Sequence, residues 1–493
     1  MQNRSEFTGF RSIFWPIYRN ELKHFFLMSS LMFSILFNQN ILRILKDSIL
    51  ISNVGVEVTN FAKIYGVIPA SALFIFLYSK MTDKYSFSKI FRILTITFLT
   101  YFLLFAFLLY PYFEYFHFDE RQIKELMFQY PSLKWYIAMV GYWSMILFYV
   151  LSELWPNIFY IILFWQLANN ITKTNDAKRF YTLFALFGNS SLLLVGYIVM
   201  HLSEGKYFCN IFNIKPDKYL FVQNASLLII VFGIISVFLV EKICQNFNQD
   251  KAYIRKGNKT KFKFIESMKY ILSSKYLWLI LICSASFGLS LTLVESIWKD
   301  KIKKLYPTVN EYANYNSKYI IWTGIAILLM TIIGNNIMRR NSWIVGAIIS
   351  PILIMISGII FFALIIFEEY VPLNIFSMSP LVLAVFIGAI QNVISKGTKY
   401  SIWDTSREML FIPLNQELKV KGKAAVDMIS SKLGKSFGSL SQSLLFTIYP
   451  TATYSSISGI LGAIFTIVCL FWITSLVYIN RQYNILLSES DTK

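Results

Sequence analysis

A few ionisable side chains stand inside stretches of the chain that are otherwise apolar. In NQNILRILKDSIL (residues 38–50), Arg43 and Lys46 lie three residues apart and Asp47 follows directly. Spacing of three puts both cations on one face of a helix. In SELWPNIFYIILFWQLANN, Glu153 is followed one turn later by Asn157. LVESIWKDKIKK carries Glu295, Lys299 and Asp300, and SSKLGKSFGSL carries Lys435. Cations suit an anionic solute, and carboxylates balance them when the solute is absent. Ionisable groups at membrane depth cost several kcal/mol and usually face a polar cavity.

The elements that must position these groups are membrane helices. The chain has 493 residues, of which 56% are hydrophobic, 15% charged and 17% aromatic, with a mean hydropathy of +0.54. Soluble domains carry about 25% charged residues, so an all-α polytopic membrane protein is expected. Twelve apolar segments fall at 25–51, 60–79, 88–112, 134–171, 180–201, 219–243, 273–298, 318–338, 342–367, 374–398, 423–449 and 455–480. They divide six and six about the hydrophilic stretch NQDKAYIRKGNKTKFKF, a layout of two halves around a central path. The expected organisation is a tail at 1–24, a six-helix half at 25–245, a basic linker at 246–272, a second half at 273–482 and a frayed tail at 483–493. The fourth segment is long enough for two spans broken at Pro156. Splitting it would send the basic stretch after 242 to the outside, against the positive-inside rule. One long helix is therefore expected, with both termini cytoplasmic. The net charge of +19 reflects basic cytoplasmic loops, not a nucleic-acid partner.

Bland roles compete for each charge. Lys299, Lys301, Lys303 and Lys304 are expected to snorkel to the interface, and snorkelling is an alternative for Arg43 and Lys46. Glu153 and Lys435 lie too deep for that, although a purely structural ion pair is open to them. Asp47 either neutralises Lys46 or caps the helix end. GKS at 434–436 is not a Walker A loop, because Ile429 stands where its first glycine is needed. Cys209, Cys244, Cys283 and Cys469 are scattered, and His24, His117 and His201 form no cluster. Neither a metal, a cofactor nor a catalytic group is indicated. A membrane enzyme, a lipid-handling protein and a nucleotide receptor are the rival classes.

LRILKDSIL, SELWPNIFYIILFWQLANNITKTNDAKRFYTLFALFGN, LVESIWKDKIK, IQNVISKGTKYSIWDTSREMLFIPL and VKGKAAVDMISSKLGKSFG together resemble the ATP/ADP translocase family of plastids and obligate intracellular bacteria. The resemblance runs in order over nearly the whole chain, and SKYLWLI and KWYIAMVGYWS look closest to rickettsial members. It implies a major-facilitator-like fold of twelve helices with alternating access. It also implies an antiporter in the bacterial inner membrane that imports host ATP in exchange for ADP. The alternative is a transporter of the same fold for GTP, CTP or UTP, by exchange or proton symport. Carried over by motif, Arg43, Lys46 and Lys435 are the expected phosphate ligands, and Glu153 and Glu295 the coupling or gating carboxylates. Asn157, Phe164 and Trp165 are secondary contacts, with one aromatic stacking on the base. Partners are the nucleotides and the bilayer, and the protein is expected to be a monomer. Three departures from the family pattern, at Pro156, Trp403 and Phe437, bear on nucleobase choice.

Overall fold

The computed structural model describes residues 17–172, 174–205, 219–247, 274–340, 342–368, 378–414 and 423–491. Helices dominate, and no extended strand occurs among these residues. In chain order the long helices are α1 (Arg19–Asn53), α2 (Glu57–Thr82), α3 (Phe87–Leu109), α4 (Trp143–Ile171), α5 (Arg179–Glu204) and α6 (Leu220–Asn246). They continue with α7 (Lys275–Leu305), α8 (Val309–Arg340), α9 (Trp343–Glu368), α10 (Pro380–Met409), α11 (Lys423–Ile448) and α12 (Tyr454–Asp491). Among the described residues ten helices are long and apolar enough to cross a membrane. Helices α8 and α11 occupy the eighth and eleventh expected spans but are not among the ten. Both carry many Asn, Ser, Lys or Arg residues. Large apolar side chains such as Leu73, Ile75, Phe76, Phe238 and Ile467 lie more than half exposed, as a lipid-facing surface requires. The proposed linker and most of the N-terminal tail lie outside the described residues.

The chain forms two units that interleave along the sequence. One takes Met1–Asp47, Pro69–Phe116 and Leu147–Lys259, and the other takes Ser48–Ile68, His117–Ile146 and Thr260–Lys493. In the first, α1 is held by polar contacts to three neighbours. Trp155 Nε1 donates to the Ile35 carbonyl at 3.1 Å, Asn38 Nδ2 to the Ile229 carbonyl at 2.9 Å, and Asn40 Nδ2 to Ser191 Oγ at 3.0 Å. Phe37 stacks on Phe232 with ring centres 3.8 Å apart, a contact worth about 0.5–1.5 kcal/mol beyond burial. In the second unit, Asn60 at the start of α2 donates to Tyr454 Oη at 2.9 Å and to Gln442 Oε1 at 3.2 Å.

Two expectations about the helices change, and one, that the chain stays helical through Pro156, holds. The fourth segment is one span, but a shorter one than expected, because the backbone leaves helical geometry at Tyr142 (φ −103°, ψ 37°) and sets apart a short helix, Lys134–Gly141. Pro156 does not end α4. Having no N–H to give the preceding turn, it opens a wider π-helical stretch, Pro156–Phe164. The residues expected to fray at the C-terminus are helical to Asp491.

Candidate functional site

Each unit carries its own cluster of charges. In the first, the middle of α1 faces α4. Lys46 is 6% exposed, and its Nζ lies 2.8 Å from Asp47 Oδ1 and 3.0 Å from Glu153 Oε1. The same ammonium rests 4.5 Å from the centre of the Tyr149 ring, one turn before Glu153 on α4. Snorkelling is thus ruled out for Lys46, since its charge is buried and neutralised in place. Asp47 acts as a counter-ion rather than a cap, because α1 continues six residues past it to Asn53. Arg43, on the same face and half-buried, forms no ion pair or hydrogen bond among the described residues. The π-helical stretch begins three residues after Glu153. There Asn157 Nδ2 donates back to the Glu153 carbonyl at 3.1 Å, satisfying a carbonyl next to the irregular turn.

In the second unit the centre is Glu295 on α7. Its Oε1 lies 3.3 Å from Lys299 Nζ, one turn on. Lys63, Lys396 and Lys435 also act on it electrostatically, from α2, α10 and α11. One lysine thus pairs directly with this carboxylate, and three more from other helices bear on it through longer-range charge. Such an excess of positive charge in spanning helices favours an anion.

Lys435 is placed by a glycine seam. A Cβ on Gly434 would sit 2.1 Å from the Ala285 carbonyl oxygen, and one on Gly288 would sit 3.2 Å from the Lys435 backbone nitrogen. Gly438, four residues after Gly434, leaves room for the Thr292 side chain, whose Cβ would lie 2.9 Å from an added Cβ. Small residues at i and i+4 let α11 and α7 approach backbone to backbone, which fixes the Lys435 main chain against the helix that carries Glu295. Trp298, one turn after Glu295, fills the space left by Gly388 and donates Nε1 to the Val385 carbonyl at 2.9 Å.

The expected snorkelling of Lys299 and Lys301 is corrected. Lys299 is 7% and Lys301 3% exposed, and Lys301 pairs with Glu368. Lys304 keeps a half-exposed side chain and pairs with Asp300 at 3.1 Å. The reason is that α7 runs to Leu305, beyond the end expected at 298, so these lysines project from a packed helix and not from its frayed end.

The secondary contacts and the departures from the family pattern also find places. Phe164 is buried among Trp165 and Phe184, a packing position. Trp165 is half-buried, with Tyr181 edge-on at 5.0 Å. Trp403 is buried edge-on to Trp472 at 4.9 Å. Phe437 is 56% exposed and stays clear of the glycine seam. Lys63, Lys396, Tyr149 and Tyr319 were missed from sequence. Lys396 sat two residues before the expected end of its segment, where a lysine reads as interfacial, whereas α10 continues to Met409 and leaves it midway.

The fold is that of a major-facilitator-like membrane transporter. A bacterial homologue of the iron transporter ferroportin in an inward-facing state superposes with a TM-score of 0.59 at 13% identity, covering 93% of this chain and 100% of that one. An inward-open xylose transporter from E. coli does so with 0.53 at 10%, covering 92% and 95%. At such identities the likeness concerns the fold alone. Sequence is more specific. The TLC ATP/ADP transporter family description matches residues 1–483. The chain is 54% identical to ADP,ATP carrier protein 5 of Rickettsia bellii (strain RML369-C) over 97% of both proteins. It is 52% identical to ADP,ATP carrier protein 5 of Rickettsia prowazekii (strain Madrid E) over 98% of both. The chain belongs to the TLC ATP/ADP transporter family. It is a secondary transporter and not an enzyme.

Proposed function

We propose that this chain is a nucleotide antiporter of the bacterial inner membrane, with cytoplasmic termini, that imports host ATP in exchange for ADP by alternating access. The observation that carries the reading is the set of four lysines around Glu295, in a family whose relatives are named for ADP and ATP. ATP carries nearly four negative charges. At an effective dielectric near 20, each unit pair about 4 Å apart gains ~4 kcal/mol before desolvation. Arg43, Lys46 and Lys435 are assigned to the phosphates. Arg43 has a bidentate fork to offer, and the lysines act as point charges. Glu153 and Glu295 hold the cations in the empty protein and yield them to the phosphates, so the empty carrier is not left with unneutralised charge and exchange is favoured over net uptake. Trp165 is the assigned base contact, since Phe164 has no exposed face.

The test is uptake of labelled ATP into bacterial cells that express the chain, followed by an external chase. Efflux of label on adding ATP or ADP, unaffected by a protonophore, supports exchange. Accumulation abolished by the protonophore, or uptake of labelled GTP, CTP or UTP in place of ATP, overturns it in favour of the alternative.

A further inference from the structure

Lys396, one of the lysines that act on Glu295, is not among the residues assigned to the phosphates above, yet its surroundings point to such a role. Its ammonium lies 4.9 Å from the centre of the Tyr319 ring on α8, and it forms no direct ion pair among the described residues. Several other buried or half-buried lysines are paired directly with a carboxylate. Lys46 pairs with Asp47 and Glu153, Lys299 with Glu295, Lys301 with Glu368 and Lys399 with Asp404. A ring face attracts an ammonium without cancelling its charge. Lys396 therefore stands midway along α10 against a ring face, with no carboxylate in direct contact among the described residues.

The ring beneath it is itself held. Tyr319 is 7% exposed and sits edge-on to Trp298 with centres 4.7 Å apart. Trp298 in turn lies between Glu295 and Lys299 on α7. The Tyr319 hydroxyl is buried with no hydrogen-bond partner among the described residues. A buried polar group without a partner is costly and calls for an explanation. Here a cation without a direct ion pair and an unused donor stand on the same ring, beside a cluster already rich in lysine. A phosphate group supplies what both lack: negative charge and several acceptor oxygens.

We propose that Lys396 and Tyr319 form a further phosphate-binding pair, the ammonium as cation and the hydroxyl as hydrogen-bond donor to the same nucleotide phosphate. This rests on the nucleotide-exchange reading above. Tyr319 thus has two roles, placing Lys396 through its ring and contacting the substrate through its hydroxyl.

The experiment measures labelled ADP exchange in proteoliposomes containing the full chain, at matched protein content. Losing a hydrogen bond to a charged group weakens binding about 10- to 100-fold, so Lys396→Gln is expected to raise KM for ADP and ATP by that factor while the maximal rate changes little. Lys396→Arg, which keeps the charge, is expected to restore KM to within about threefold. Tyr319→Phe retains the ring and removes only the donor, and is expected to raise KM about tenfold. The double variant is expected to lose less than the product of the two factors, since both act on one phosphate. Unchanged KM in Lys396→Gln or Tyr319→Phe, or failure of Lys396→Arg to restore it, overturns the pair. Should Lys396→Gln fail to fold, the near-isosteric Tyr319→Phe decides by the same measure. Wild-type protein that exchanges nucleotides while both single variants match it overturns this pair alone. Wild-type protein that exchanges none overturns the parent reading.

Discussion

Lys46 on α1 and Glu153 on α4 form an ion pair of 3.0 Å between two spanning helices, and Asp47 completes it from the next residue at 2.8 Å. One ammonium thus serves two carboxylates, so the local charge is close to balanced once half-buried Arg43 is counted. Around Glu295 the balance is different, with four lysines to one carboxylate. The two units therefore differ in charge: the lysine of one is matched by two carboxylates, and the carboxylate of the other is outnumbered by lysines.

Removing Lys46 separates stability from transport. Lys46→Gln strips Asp47 and Glu153 of their cation, and breaking such a buried pair costs about 3–5 kcal/mol. The lowered melting temperature in detergent is expected to recover largely in Lys46→Gln/Asp47→Asn. Uptake of labelled ATP is expected to be abolished in both variants, and wild-type uptake by the double variant would refute the phosphate role.

Glu295→Gln acts in the opposite sense. In the proposed mechanism its carboxylate competes with phosphate for the lysines that act on it, so its loss is expected to tighten nucleotide binding. A KM about tenfold lower, with a maximal exchange rate lower by a similar factor, is the expected pattern, since binding gained in the ground state must be lost again for release. Initial-rate measurements at several ADP concentrations check it, and a raised KM would contradict it.

Lys435→Gln removes a cation while leaving the glycine seam intact. Its melting temperature is expected to stay within about 2 °C of wild type, as for substitutions away from packed features, and labelled ATP uptake is expected to fall at least tenfold. Uptake at the wild-type level would remove Lys435 from the phosphate set.

The glycine seam is tested by adding atoms to it. Gly434→Ala places a Cβ 2.1 Å from the Ala285 carbonyl oxygen, and overpacking against backbone costs about 1–3 kcal/mol or more. Phe437→Gly, three residues on, changes an exposed side chain and is expected to cost only the helix propensity of glycine relative to other residues, about 0.5–1 kcal/mol. Thermal unfolding of the two variants in the same detergent compares them directly. Equal losses would refute the seam.

Much of this protein is legible in its sequence because the bilayer leaves few options. Apolar runs near 20 residues must become helices in lipid, so the order and approximate place of the spans follow from composition. The same physics makes Arg43, Lys46, Glu153, Glu295 and Lys435 conspicuous, because a charge in an apolar run is expensive. What tertiary structure decided is which groups meet. Asp47 is adjacent to Lys46 in sequence, but whether it pairs or caps depended on where α1 ends and on α4 bringing Glu153 alongside. Lys299 and Lys301 read as interfacial because a hydropathy pattern stops at 298, whereas packing carries α7 to Leu305 and buries both. Lys396, Tyr319 and Trp298 come from three helices, and no spacing along the chain relates them. Pairwise contact between distant segments is set by side-chain packing and backbone approach, such as that at Gly434 and Gly288, and one-dimensional periodicity contains no record of it.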